Sequence, residues 1–187
     1  KDVSEFLQRT IASDQKYYSI SDAFRALVVV DTAAANRMVD NLLQTDSHTD
    51  VIRKAAISYF GSVKNDRNYE RLKELVSYGG TTWDARPSAV TQLGKYVKEK
   101  KETLDIFIEL LDDRSRFVRR NAIRALGSYG SEKHLGHLDE VLAMDPILNR
   151  DVRAAKKKIL YPTKKEVKNS SKKELEETNK KIEEIKR

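Results

Sequence analysis

Alanine recurs every 33 residues, at Ala23, Ala56, Ala89 and Ala122, and the positions around it recur with it. Four residues on stand Leu27, Phe60, Leu93 and Leu126, and one further on Val28, Gly61, Gly94 and Gly127. Three residues upstream come Ile20, Arg53, Arg86 and Arg119. Sixteen downstream come Val39, Leu72 and Leu138, each followed by a second apolar step at Leu42, Leu75 and Val141. Two apolar stripes of helical spacing inside one such period define two short amphipathic helices per unit. A unit of that size cannot close a core alone, so its neighbours must stack on it. The expected fold is therefore all-α, an α-α superhelix of about five helix-turn-helix repeats whose function lies on its surfaces. The recurring alanine has a steric reason, because a small side chain lets paired helices approach closely.

Periodicity and caps place first helices near 19–30, 50–63, 85–97, 116–128 and 151–160, and second helices near 2–12, 34–44, 66–77, 100–112 and 132–144. Asp50 and Asp84 are N-cap candidates, and Pro87 falls in a first turn, where its missing N–H costs little. The fifth unit is less regular. Ala155 keeps the step from Ala122, but Val152-Arg153 matches Val118-Arg119 only with one residue more, which places an insertion near Pro146. The Thr-Pro-Leu-His turn of ankyrin units is absent; alternating Val-Arg-x-x-Ala and Leu-Gly resembles HEAT repeats instead. At the start, Val3, Phe6, Leu7 and Ile11 form a helical stripe, with Phe6 one period before Val39, in the slot of a second helix. That helix is expected to expose an apolar face, either because preceding protein has been removed or because it is an atypical N-terminal cap. The expected solenoid spans 1–160 with its first repeat truncated, and 161–187 is a Lys/Glu-rich helix or tail whose Leu175, Ile182 and Ile185 allow a single thin seam.

Few glycines and prolines and 7% aromatic residues argue against an all-β chain. Without cysteine there is neither a disulfide framework nor a Cys-based metal site, and the compartment stays open, with a slight lean to the cytoplasm. The longest apolar run, Ala26 to Val30, is far too short to span a bilayer, so no membrane is expected as a partner. The net charge of +7 divides into +3 from residue 161 onward and +4 over the preceding 160 residues, a mild surplus. Lys98-Glu99-Lys100-Lys101 and Lys156-Lys157-Lys158 read as solvated faces without interleaved aromatics, which makes nucleic acid an unlikely partner. Arg53, Arg86 and Arg119 read as structural residues paired with acids such as Asp50, Asp84 or Asp113 along the stack.

One connection breaks the uniform turns. Tyr78-Gly79-Gly80-Thr81-Thr82-Trp83 is longer and glycine-rich, either a functional lip or a spacer. Together with Phe6 and Arg86, its Tyr78, Gly79, Gly80 and Trp83 are the candidate binding residues. Catalytic patterns are scarce. His134-x-x-His137 puts two imidazoles one turn apart, read here as surface histidines, and the His-Glu-x-x-His helix, Gly-x-Ser-x-Gly and a phosphate loop are missing. No catalytic residue, metal ligand or cofactor site is assigned.

Asp14-Gln-Lys-Tyr-Tyr18, Ala23-Phe-Arg-Ala-Leu27 and Asp46-Ser-His-Thr-Asp-Val-Ile-Arg-Lys-Ala-Ala56 are followed by Tyr78-Gly79, Arg86-x-x-Ala89, Leu93-Gly94, Leu110-Leu-Asp-Asp113 and Arg124-Ala-Leu-Gly127. In this order the motifs resemble the C-terminal HEAT-like domain of zinc aminopeptidases of the aminopeptidase N class, over roughly residues 14–160. The resemblance implies a helical, non-catalytic module that packs on a catalytic domain of the same polypeptide and shapes the access of peptide substrates. Zinc is then expected in that other domain, and the whole protein would be a metallopeptidase. Val28-Val29-Val30 departs from the Leu-Gly ending, and the zinc- and amine-binding motifs have no counterpart here. The alternative is an independent protein-interaction scaffold.

Overall fold

The computed structural model describes residues 2–162, and the charged segment expected beyond them lies outside the described residues. Helices α1 (Asp2–Ser13), α2 (Tyr17–Val30), α3 (Thr32–Gln44), α4 (Val51–Ser62) and α5 (Asp66–Val76) come first. The lip separates them from α6 (Arg86–Leu93), α7 (Thr103–Glu109), α8 (Arg116–Tyr129), α9 (Leu135–Met144) and α10 (Asn149–Leu160). Among the described residues there is no strand, and no helix is long and apolar enough to cross a membrane.

The first helices α2, α4, α6, α8 and α10 stack directly on one another, and each second helix packs on the first helix that follows it. This is an α-α superhelix. The recurring alanines lie in the stacking layer, with Ala56, Ala89 and Ala122 fully buried. One turn on, the helices come closer still: a Cβ on Gly127 would sit 2.6 Å from the Ala155 Cα, so glycine is required there. Phe24, Leu27, Leu72, Leu93, Phe107, Leu126 and Leu138 fill one continuous core. Each such side chain contributes about 1.5–3 kcal/mol on burial.

Several local expectations shift. Asp31 alone separates α2 from α3, and its carboxylate accepts from the Ala34 N–H at 2.9 Å and from the Ser4 hydroxyl at 2.7 Å. A good N-cap thus starts α3 two residues earlier than periodicity suggested. Asn65 caps α5 in the same way, accepting from Asn68 N–H at 2.8 Å. Asp50 does not cap α4: its backbone is left-handed, at φ 54°, and its carboxylate is taken by Arg53 and Thr82. Asp84 does not cap α6 either, being paired with Lys54 at 3.1 Å, whereas Pro87 does sit in the first turn of α6. The helices expected over 85–97 and 100–112 both finish in 3-10 turns, Gly94–Tyr96 and Leu110–Asp112. Phe107, 35 residues after Leu72, takes the core place that strict periodicity gives to Asp105, so the connection before α7 absorbs two extra residues.

Among the described residues the opening helix packs mainly on α2. Leu7 and Ile11 pack toward the core and α1 lies along α2, while Val3 and Phe6 remain 59% and 61% exposed. Phe6's slot-mates Val39, Leu72 and Leu138 are all buried.

Candidate functional site

The recurring arginines set the frame for the site. Each leans back to the frayed end of the helix before it, where backbone carbonyls lack intrahelical partners. Arg53 Nε donates to the Leu43 carbonyl and Arg86 Nε to the Val76 carbonyl, both at 2.7 Å, and Arg119 Nη1 donates to the Asp113 carbonyl at 2.6 Å. The remaining guanidinium nitrogens meet acids. Arg86 pairs with Asp113 of the next inter-repeat turn, and Arg119 with Asp145 of the turn after that, at 2.5 Å. Arg116 joins Asp145 at 3.0 Å, and these two guanidiniums hold the Asp145 carboxyl below its ordinary range.

The structural reading of the arginines therefore holds, with one change of partner: Asp145 takes the place expected for Asp84. At the turn before α6, the residue one period before Asp113 is Gly80. Arg53 accordingly turns to Asp50 and to Asp46, the latter at 2.9 Å.

Gly80 belongs to the turn that forms the lip. Gly79 adopts φ 81°, and a Cβ on Gly80 would lie 1.9 Å from the Glu74 carbonyl oxygen, so both glycines are dictated by the backbone path. The path carries Tyr78 and Trp83 outward, 76% and 71% exposed. Two guanidiniums approach the Tyr78 ring, Arg86 at 5.8 Å and Arg114 at 5.5 Å from its centroid. Arg86 is buried and charge-compensated, which makes it a rigid floor; Arg114 is exposed and forms no ion pair among the described residues. Together with Thr81 and Ser115 these residues line a cavity of about 450 Å³. Of the six candidate residues, Tyr78, Gly79, Trp83 and Arg86 line it, Gly80 shapes the turn, and Phe6 stands apart on α1. Sequence reasoning missed Arg114, which is brought to Tyr78 by stacking across a repeat boundary.

The histidine pair separates. His137 is partly exposed, 3.5 Å from Glu140, whereas His134 is buried, contrary to the expected surface position. Its Nδ1 accepts the Ser131 N–H at 2.9 Å in a reciprocal cap at the start of α9, and closing that turn is what draws the ring inward. Among the described residues no group of three or more His, Asp or Glu side chains is placed to hold a metal ion.

Charge is polarised in a way the total conceals. Residues 1–113 carry sixteen Lys and Arg against eighteen Asp and Glu, but residues 114–160 carry eleven against five.

A family model of HEAT repeats matches residues 78–156, from the lip through most of α10. Comparison with curated proteins and with solved structures gave no match. The fold is an α-α superhelix, and over residues 78–156 the chain is similar to HEAT repeats.

Proposed function

We propose that the chain is a HEAT-repeat scaffold that binds a protein partner, with the Tyr78–Trp83 lip as a principal contact. The observation that carries this reading is the exposure of two large aromatic side chains on one glycine-rich turn, with the Tyr78 ring 5.8 Å from the buried, ion-paired Arg86. A spacer of that length needs no aromatics. Exposed Tyr and Trp beside Arg are the residues that most often concentrate binding energy at protein interfaces, because they bring large area at small entropic cost. Arg114 adds a cation for a carboxylate of the partner.

The test uses the chain and its Tyr78→Ser/Trp83→Ser variant as baits in extracts of the source cells, followed by titration of the recovered protein in purified form. The parent chain should retain a partner that the variant loses, with the two melting at the same temperature. Identical partners and affinities on both baits would remove the lip from the interface.

A second reading, the C-terminal module of a zinc aminopeptidase, rests on the order of motifs over residues 14–160 and on the uncovered Val3 and Phe6 side chains of α1. The partner would then be the catalytic domain of the same polypeptide, and zinc would belong to that domain. The coding sequence immediately upstream decides it. A His-Glu-x-x-His helix there supports this reading, and an unrelated or absent domain returns the scaffold.

A further inference from the structure

A groove of about 590 Å³ runs between the neighbouring first helices α8 and α10. Arg120 and Arg124 line it from α8, Arg150 and Lys158 from α10, with Ala154 and Ala155 between them; Ile147, 64% exposed, lies at the α9–α10 turn. Its one lining acid is Asp151, which holds Arg120 at 3.0 Å and Arg124 at 2.9 Å. One carboxylate thus serves two guanidiniums, and Arg150 forms no ion pair among the described residues. Among the described residues Lys158 reaches only the Ser128 hydroxyl, at 3.5 Å.

Stacking accounts for Arg120, whose pair with Asp151 repeats Lys54–Asp84 two units earlier, but not for the other cations. The register places of Arg120 and Arg124 hold Lys54 and Ser58 in α4 and Pro87 and Thr91 in α6, and Lys54 is neutralised by Asp84. A position locked to the repeat would recur, as the buried arginines do. Arg124 does not, and with Arg150 and Lys158 it adds to the positive surplus of residues 114–160.

We propose that the groove binds an acidic peptide segment of a protein partner, with an apolar side chain against Ile147 and carboxylates on Arg120, Arg124, Arg150 and Lys158. From Arg150 to Lys158 the helix runs about 12 Å, the span of roughly four residues of extended chain. The exposed Ile147 at the end of the groove favours a peptide over a phosphodiester chain, which would use the cations alone. Among the described residues no aromatic side chain lines the groove to offer a stacking platform for a base. The inference rests on the protein-binding reading of the array but not on the lip, so the lip variant serves as its control.

The experiment titrates the whole chain into a fluorescein-labelled peptide, Glu-Asp-Glu-Leu-Leu-Glu-Asp-Glu, by anisotropy, beside a single-stranded oligothymidylate of equal charge. Arg150→Glu with Lys158→Glu should weaken peptide binding about tenfold or more, since the rim then repels it. Asp151→Asn should tighten it by freeing two guanidiniums, and Ile147→Ser should weaken the leucine peptide while leaving a serine-substituted one unchanged. Tyr78→Ser/Trp83→Ser should have no effect. Peptide affinity indifferent to the Arg150 and Lys158 changes in a chain with unaltered circular dichroism would overturn the proposal. So would tighter binding of the oligothymidylate, which would make the groove a phosphate site.

Discussion

Asp145 shows how one side chain in an inter-repeat turn couples two units. It receives Arg119 and Arg116 from α8 and the Ile147 N–H at 3.3 Å within its own turn. Its pKa is lowered from 3.8, first by the Arg119 hydrogen bond and then by Arg116. A carboxyl whose folded pKa lies below its unfolded value contributes stability that is complete above the unfolded value and is lost as pH falls through the folded one. Asp145→Asn should therefore melt below the parent at neutral pH, with the difference closing as pH drops below about 3.8. Thermal melts across pH 2–7 (about that range suffices) check it. A difference independent of pH would mean that the pair acts by packing alone. The buried Arg86–Asp113 pair is the same device one repeat earlier, and breaking such a pair leaves an uncompensated charge.

At the scale of the element, what holds the array is helix-on-helix approach permitted by small residues. Ala89 is fully buried in α6, between α4 and α8. Ala89→Arg forces a long charged side chain into a layer with no room to rotate it out, and should destabilise by several kcal/mol, roughly 3 or more, through overpacking and desolvation. An unchanged melting temperature would show that the alanine register does not lie at the helix contacts. The lip is the counterpart, an element held by backbone geometry instead of by packing. Gly79 and Gly80 fix its path, and its two aromatic rings stay outside the core.

At the scale of the molecule, that separation gives a spectroscopic consequence. Trp83 is the one tryptophan in the chain and is 71% exposed, while the core is a single continuous cluster running from α1 to α10. Tryptophan emission of the native chain should be that of solvated indole and should shift little with denaturant, while far-ultraviolet circular dichroism loses its helical signal. A strongly blue-shifted native emission would place Trp83 in a packed environment and contradict the exposed lip. The same whole-molecule view separates a near-neutral first part from a basic last part, which a single net charge obscures.

The sequence by itself determined the repeat, the helices and the core. A period of 33 residues and apolar steps of helical spacing are local properties, so Ala56, Leu93, Leu126 and Leu138 could be placed inside before any fold was known. The lip was legible too, as a break in uniform turns, and so was the structural role of the arginines. Only the tertiary structure decided which acid each arginine meets, that Arg114 lies over Tyr78, that His134 turns inward, and that α8 and α10 enclose a basic groove around Asp151. Those outcomes depend on the offset with which one hairpin stacks on the next. An extra residue or two in the turns before α7 and α10 rotates a helix by about 100° per residue against its neighbour. A repeat period averages over such offsets, whereas the meeting of side chains 26 to 31 residues apart, as in Arg119–Asp145 and Arg120–Asp151, is set by each one separately.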